Sequence, residues 1–367
     1  MTDQVTQDNI EQKFQDEYRA QRKAIKKPNI LIAGGTGVGK SSLVNQVFDR
    51  NVAKVGAGQP VTKELTRFEH DYVVLYDTEG YENGEESQTR FKSSVLGKLD
   101  DENRAGSDAI HLVWYCISQA GHRVLDVDIS TINETFKRRI PVCVVLTQAD
   151  SVSEDESQAM KDTLAKECPG VSVFESSTDE EANITVDPLV EWSCNNLEAG
   201  ARSAFLAGAR GAIPLKEKEG VRIVVEHTAS AGVIALSPIP LSDAPLLIAN
   251  QLTMAARLAT LWNMEAVKTA AAGGVVGQAV AVAGRSLAGN LLKLVPGIGT
   301  AGGAAINATV ASTMTGAVGY AINDICARIR RDELNGTVKD IVSYFDAELV
   351  KNLIASYLSG GKRPAAA

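Results

Sequence analysis

The chain has 367 residues, of which 44% are hydrophobic and 22% charged, and this balance excludes a largely disordered protein. The length is sufficient for about two domains. A net charge of −8 argues against a general nucleic-acid-binding role. The five cysteines are scattered without metal-binding spacing, which indicates reduced thiols and a cytoplasmic location.

Residues 1–27 form the first predicted segment, an amphipathic helix over Asp8–Lys27. Ile10, Phe14 and Tyr18 recur at spacings that place them on one helical face. The basic residues that follow are interpreted as a solvated face. Contact of this basic end with anionic lipid or a partner is the minor alternative.

Residues 28–211 alternate between apolar strand-like runs and helix-like stretches, which is typical of a mostly parallel sheet covered by helices on both faces. The sequence therefore predicts a three-layer α/β domain that closes with one helix over Asp187–Leu206. The predicted strands are Ile30–Ala33, Tyr72–Tyr76, Ile110–Ile117, Val142–Leu146 and Val171–Phe174, and the helices between them are Ser41–Phe48, Ser87–Lys98, Leu125–Arg138 and Glu154–Glu167.

A glycine-rich loop follows the first of these strands and matches the pattern G-x-x-x-x-G-K-[ST]. Glycines allow backbone N–H groups to surround phosphate oxygens, and the helix that begins after the loop points its positive end at the same anion. Lys40 is predicted to contact the β- and γ-phosphates and Ser41 to bind Mg²⁺. The predicted phosphate-binding residues are Gly34, Gly35, Thr36, Gly37, Val38, Gly39, Lys40, Ser41 and Ser42.

A second motif, D-x-x-G at Asp77–Gly80, ends another strand. Asp77 is predicted to hold Mg²⁺ through water, and the Gly80 N–H is predicted to contact the γ-phosphate. Thr62 lies between the two motifs and is the candidate switch residue that reaches Mg²⁺ when the γ-phosphate is bound. Lys40, Thr62 and Gly80 are thus the residues assigned to the reacting phosphate.

Selectivity for guanine is predicted from Asp150, which follows the strand at 142–146. Its carboxylate can accept hydrogen bonds from guanine N1–H and the N2 amino group, whereas adenine would leave it unpaired at a cost of about 1–3 kcal/mol. Ser176 and Ser177 follow the last strand, where their backbone N–H groups can face guanine O6. Thr147 and Gln148 complete this set.

The order and spacing of these motifs resemble a G domain of the translation-factor-related class, close to its Era and septin-like branch, over about Pro28–Gly211. This resemblance implies GTP and GDP as ligands with Mg²⁺. Thr147 and Gln148 depart from the family's N-K-x-D: a Thr hydroxyl can still bond to the phosphate loop, whereas Gln148 covers the base less well and implies weaker GTP affinity. Potassium-dependent members carry Asn where this chain has Gly37, so potassium activation is not expected.

Residues 212–367 are predicted to form an all-α domain rich in glycine and alanine. Prolines at 238, 240 and 245 interrupt any continuous helix there. The motifs at Leu236–Pro245 and Val295–Ala305 resemble a helical domain that follows Era-like G domains in bacteria and some eukaryotes. The run Leu294–Ile322 has no charge and exceeds the ~20 residues that span a bilayer.

The composition of that run favours a buried hairpin in a compact helical domain, because small and polar residues transfer weakly into lipid. Reversible membrane association is the alternative, and a permanent anchor is the weakest reading. Gly299 and Gly303 form a G-x-x-x-G pair suited to close helix crossing.

Catalysis is the open step, because the position after D-x-x-G holds Tyr81, which cannot orient water as the Gln of Ras-like enzymes does. The sequence therefore predicts slow GTP hydrolysis stimulated by self-association through the G domains or by a partner. A membrane-associated GTPase of dynamin-like or immunity-related type is one alternative, and a GTP-stabilised scaffold with negligible hydrolysis is another. The acidic chain carries no RNA-binding module, so no nucleic-acid partner is expected.

Overall fold

A computed structural model gives the fold and describes residues 7–48, 59–62, 65–82, 84–100, 109–235, 243–264, 303–344 and 346–358. The chain divides into two compact units. The sheet unit spans Ile25–Ala212, and the helical unit combines Met1–Ala24 with Ile213–Ala367. The N-terminal helix, predicted as a separate element, therefore belongs to the helical unit.

In the part of the sheet unit that the structure describes, seven strands form one sheet in the order β2-β3-β4-β1-β5-β6-β7. Strands β4, β1, β5, β6 and β7 run parallel to one another, and β2 and β3 extend the β4 edge antiparallel. The central strand β1 is buried along its whole length, as an apolar run covered on both faces requires. The strands are β1 Asn29–Gly34, β2 Gln59–Thr62, β3 Leu65–Glu69, β4 Val74–Thr78, β5 Leu112–Ser118, β6 Val142–Thr147 and β7 Ser172–Glu175.

Helices follow the parallel strands, so the predicted α/β class is confirmed. Their starts have local causes: in α5, the Ser153 hydroxyl accepts from the Glu156 N–H and the Glu156 carboxylate accepts from the Ser153 N–H. Because the strands are parallel, all loops after their carboxyl ends meet at one edge of the sheet. The helices are α2 Lys40–Val47, α3 Glu85–Leu99, α4 Asp126–Lys137, α5 Glu154–Glu167, α6 Asp187–Asn195 and α7 Ala199–Gly208.

Two features of this unit differ from the prediction. The sequence does not predict strands β2 and β3, since both are short and partly polar and lack a continuous apolar run. The single helix expected over Asp187–Leu206 is instead α6 followed by α7. The Arg202 guanidinium donates to the carbonyls of Cys194 and Leu197, which satisfies the end of α6 and fixes the break.

Six helices of the helical unit lie within the described residues. Helix α8 contacts α9 and α10, α1 packs on α9, and α12 packs on α10. Phe14 and Tyr18 of α1 are buried, as their shared face predicts. The helices are α1 Gln7–Lys23, α8 Ile213–Ile234, α9 Asp243–Leu261, α10 Gly303–Leu334, α11 Ile341–Tyr344 and α12 Ala347–Leu358.

Glycines bring α8 and α10 close together. A Cβ at Gly220 would lie 2.0 Å from Oδ1 of Asn323, and one at Gly319 would lie 2.7 Å from Cγ2 of Val224. The same Asn323 amide accepts a hydrogen bond from Trp262 Nε1 at 2.8 Å. Close helix packing therefore accounts for these two glycines.

The uncharged run Leu294–Ile322 is described only from residue 303, where it forms the first part of the continuous helix α10. The start of the run, including Gly299, and most of the proline-containing segment lie outside the described residues. Within the described ranges, no helix combines the length and apolarity that a membrane crossing requires.

Candidate functional site

The phosphate loop connects β1 to α2 at the carboxyl edge of the sheet. Gly34 passes so close to β5 that a Cβ there would lie 2.2 Å from the Cys116 carbonyl oxygen. Gly39 has φ of 88° and precedes α2 without any side-chain cap. The first-turn N–H groups of α2 therefore point toward the loop without a side-chain acceptor, as anion binding requires.

Lys40 directs its ammonium group into this loop. The side chain is 8% exposed, and Nζ donates to the carbonyl oxygens of Gly34 at 3.2 Å and Gly35 at 2.9 Å. Burial lowers the pKa of Lys40, while the nearby Asp77 carboxylate acts in the opposite direction. The loop thus holds a cation beside the glycines that would surround phosphate.

Asp77 lies on the neighbouring strand β4, where its backbone pairs with Ile32 of β1. Its Oδ1 atom is buried and has no hydrogen-bond partner among the described residues. Burial raises the pKa of Asp77, and Lys40 partly offsets this effect. A buried carboxylate oxygen with unused acceptor capacity fits the preference of Mg²⁺ for oxygen ligands.

The structure says less about Ser41 and Thr62, the other two predicted metal ligands. Ser41 is exposed in the first turn of α2. Thr62 ends β2, but its side chain lies outside the described residues. Among the residues that the structure describes, no cluster of three or more His, Cys, Asp or Glu side chains could hold a metal. A cation here would therefore depend on Asp77, hydroxyl groups and nucleotide oxygens.

The D-x-x-G segment lies directly against the phosphate loop. Gly80 has φ of 82°, and a Cβ there would lie 2.7 Å from the Thr36 nitrogen. The Thr36 N–H donates to the Tyr81 carbonyl at 3.0 Å, and its hydroxyl donates to the Glu79 carbonyl at 3.4 Å. The two motifs of the sequence therefore form one continuous surface.

Tyr81 turns its side chain toward α4. Its hydroxyl donates to Asp128 Oδ1 at 2.6 Å, and the Tyr115 hydroxyl donates to the same oxygen at 2.8 Å. The Leu125 N–H donates to Asp128 Oδ2 at 2.9 Å. Burial raises the pKa of Asp128, and burial together with the Asp128 charge raises the pKa of Tyr81. Sequence reasoning missed Asp128, whose only visible signal was an acidic residue on the apolar side of a helix.

The residues predicted to recognise the base meet where β6 and β7 end. The Thr147 hydroxyl donates to the Val38 carbonyl, which confirms the predicted bond to the phosphate loop. The Ser177 hydroxyl donates to Asp150 Oδ1. The Ser176 N–H donates to the Leu146 carbonyl at 2.9 Å, so that backbone group is already used within the fold.

Gln148 departs from an ordinary loop conformation, with φ of 55°, and its side-chain oxygen accepts from the Ser118 hydroxyl. This contact ties the residue to the end of β5. That Gln148 covers one face of the base remains a prediction. In this structure its side-chain amide instead contacts Ser118.

Two residues near the base-recognition loop escaped sequence reasoning. Gln46 of α2 donates through Nε2 to the Ser177 carbonyl and thereby links the phosphate-loop helix to that loop. Thr178 follows Ser177 directly and lines the adjacent cavity, but no sequence motif marks it. A cavity of about 810 Å³ opens beside them, lined by Ser42, Asn45, Gln46, Ser177, Thr178 and Arg210 among others.

Comparison with known proteins agrees with this geometry. Residues 29–148 match the family described as 50S ribosome-binding GTPase. This stretch, which includes the phosphate loop, the D-x-x-G segment and Thr147, is thus similar to a P-loop GTPase domain.

Individual relatives are distant. Septin-14 of Mus musculus is 24% identical over 194 residues, covering 43% of each chain. The probable GTP-binding protein EngB of Methanococcus maripaludis is 29% identical over 106 residues, covering 28% of this chain and 46% of EngB. A crystal structure of a probable GTP-binding protein engB aligns with a TM-score of 0.36 and 16% identity, covering 46% of this chain and 97% of that one. The chain spans less than half the length of these two sequence relatives.

Proposed function

We propose that the protein binds GTP with Mg²⁺, hydrolyses it to GDP and phosphate, and acts as a nucleotide-dependent switch. The observation that carries this proposal is the single surface formed by the phosphate loop, Asp77 and Gly80 next to the Asp150–Ser177 pair. Phosphate and base recognition are thus supported at one edge of one sheet.

At the phosphate end, loop N–H groups and Lys40 would hold the β- and γ-phosphates. Asp77, Ser41 and Thr62 would organise Mg²⁺, which would neutralise charge on the phosphate oxygens. Asp77 would act through water. Its buried, unpartnered Oδ1 supports this assignment.

At the base end, Asp150 would accept from guanine N1–H and N2. The Ser177 hydroxyl supports this role because it donates a hydrogen bond to Asp150 Oδ1 and orients the carboxylate. The carboxylate keeps further acceptor positions for the base. Gln46, which contacts the Ser177 carbonyl, steadies the same loop from α2.

The proposed hydrolysis is slow in the isolated chain. Tyr81 stands immediately after D-x-x-G, and its hydroxyl is bonded to Asp128. A phenol held in this way does not orient an attacking water. Phosphoryl transfer is accelerated by positioning and charge stabilisation, so a second copy or a partner would supply the missing groups.

The proposed switch acts in the cytoplasm. It would act at a membrane surface only if lipid stimulates its GTP hydrolysis. The five cysteines are all free and buried, which is consistent with a reducing compartment.

The test is GTP hydrolysis measured against protein concentration, with and without liposomes, using Lys40→Ala as the binding-deficient control. We expect low turnover per molecule that rises with protein concentration and is abolished in the variant. Fast turnover independent of concentration would contradict the slow-switch proposal. Binding without turnover would select the scaffold, and stimulation by liposomes alone would select the membrane-associated GTPase.

A further inference from the structure

Tyr81 contacts two separate parts of the sheet unit. Its main-chain carbonyl accepts from the Thr36 N–H of the phosphate loop at 3.0 Å. Its hydroxyl donates to Asp128 of α4 at 2.6 Å. One residue at the end of D-x-x-G therefore bridges the phosphate loop and the first turn of a helix.

The Asp128 end of this bridge is buried and fully used. The carboxylate is 1% exposed and accepts from Tyr81, Tyr115 and the Leu125 N–H. A buried carboxylate that loses a donor is disfavoured, because water cannot replace the missing hydrogen bond. The contact therefore resists any movement of the Tyr81 ring.

The phosphate-loop end is equally restricted. Gly80 lies so close to Thr36 that even a Cβ would overlap the backbone. A γ-phosphate bound between the loop and the Gly80 N–H needs the space and the direction of that N–H. We expect Gly80 to shift when its N–H turns to a γ-phosphate, and Tyr81, the next residue, to shift with it.

Room for this movement exists beside the ring. A cavity of about 500 Å³ is lined by Gly35, Thr36, Tyr81, Arg123 and Asp128 among others. On its other side the ring meets Phe91 of α3, with ring centroids 5.0 Å apart. The ring thus packs against the hydrophobic core and is held by its hydroxyl, and the cavity lies beside it.

We propose that the Tyr81–Asp128 hydrogen bond is a latch that holds the D-x-x-G segment against the phosphate loop and opens when a γ-phosphate binds. Tyr81 is thereby a positioning residue that sets the preference of the site between GTP and GDP. This inference rests on the proposed function. It also assigns a direction to the signal, from the phosphates through Tyr81 to α4.

The test compares Tyr81→Phe with Tyr115→Phe. Each variant removes one hydroxyl from the same carboxylate, but Tyr115 lies inside β5 and does not follow D-x-x-G. Dissociation constants are measured for fluorescent GDP and for a non-hydrolysable GTP analogue with Mg²⁺. In Tyr81→Phe we expect the affinity for the GTP analogue relative to GDP to rise about ten-fold or more, the scale of one hydrogen bond to a charged group.

Tyr115→Phe should leave the ratio of the two affinities unchanged. An unchanged ratio in Tyr81→Phe, or an equal change in both variants, would overturn the latch, since the carboxylate would then act only as a structural group. Circular dichroism spectra of both variants serve as the control for folding.

A second measurement, made without nucleotide, tests whether the Tyr81 hydroxyl holds the D-x-x-G segment against the phosphate loop. Hydrogen exchange of the Thr36 amide in the nucleotide-free chain should be about ten-fold faster in Tyr81→Phe, because the Tyr81 carbonyl that accepts from it is no longer held in place. Tyr115→Phe should not change it, and equal exchange in both variants overturns the latch. If the wild-type chain binds no guanine nucleotide, the proposed function fails, while the exchange result still decides whether the Tyr81 hydroxyl holds the D-x-x-G segment against the phosphate loop.

Discussion

The Thr147 hydroxyl donates a hydrogen bond to the Val38 carbonyl, so the end of β6 is tied directly to the phosphate loop. Thr147 is 3% exposed, and its hydroxyl also lies 3.3 Å from the Ile117 carbonyl. The base-recognition strand and the phosphate loop are therefore held together before any ligand contacts either of them.

Thr147→Val tests this tie. Valine keeps the shape and removes the hydroxyl, so the Val38 carbonyl loses its donor. We expect the dissociation constant for GDP to rise about five- to ten-fold, the equivalent of about 1–1.4 kcal/mol. Thr147→Ser, which retains the hydroxyl, should bind GDP as the wild type does. Equal affinities in Val and Ser variants would show that the hydroxyl has no part in binding.

Asp150→Asn tests base recognition. Xanthine carries a carbonyl where guanine carries the N2 amino group, so an amide can donate to it while a carboxylate repels it. We expect GTP affinity to fall at least about ten-fold and XTP affinity to rise by a similar factor. Asp179→Asn changes an exposed carboxylate in the same loop region and should alter neither. Unchanged selectivity in Asp150→Asn would remove Asp150 from the base site.

Gly80→Ala tests the contact between the two phosphate-binding motifs. A Cβ at Gly80 would lie 2.7 Å from the Thr36 nitrogen. Gly80 also has φ of 82°, a backbone conformation that residues with a side chain rarely adopt. We expect GTP turnover to fall at least about ten-fold, because the segment must move away from the loop. Gly97→Ala in α3 is the control, since nothing lies within 4 Å of its Cβ position and helix propensity favours alanine. Turnover is measured by phosphate release, and normal turnover in Gly80→Ala would exclude a close role for this residue.

His227 makes the stability of the helical unit depend on pH. Its Nε2 accepts from Arg257 at 3.1 Å, so Nδ1 carries the proton and donates to Asn250 Oδ1 at 2.8 Å. Burial lowers the pKa of His227 below its ordinary value, and the Arg257 charge adds to this effect. The unfolded chain then binds more protons than the folded chain, so unfolding free energy is lost as pH falls below about 6.5.

His227→Gln should flatten this dependence. We expect the difference in unfolding free energy between wild type and variant to shrink as pH falls from about 7.5 to about 5.5. Trp262 fluorescence in a background without the other two tryptophans, Trp114 and Trp192, reports on this unit. A difference that stays constant across this range would mean that His227 does not titrate in it.

Much of the sheet unit could be predicted because its determinants are local. The apolar run before Gly34 reads as a buried strand, and the glycine pattern after it reads as a phosphate loop. The two antiparallel strands β2 and β3 could not be predicted in this way. Their pairing depends on β4 beside them, and residues such as Thr66 and Arg67 alternate without a strong apolar signal.

The break between α6 and α7 also lacks a local sequence signal. No Gly or Pro stands between Asn195 and Glu198 to mark it. The break depends on the Arg202 side chain, which satisfies two carbonyls at the end of α6. The role of Asp128 was hidden for a related reason. Its contact with the Leu125 N–H resembles an ordinary helix start, and only the tertiary structure places Tyr81 on the same carboxylate.

The close approach of α8 and α10 has a consequence for how this part of the sequence can change. At Gly220 and Gly319 the neighbouring atoms leave no room for a single added carbon, whatever its polarity. Selection at these positions therefore acts on volume, while the outward-facing positions of the same helices are free to vary in charge and size. An alignment of close relatives should show two invariant glycines set among variable neighbours, a pattern that sequence conservation alone would misread as a binding motif.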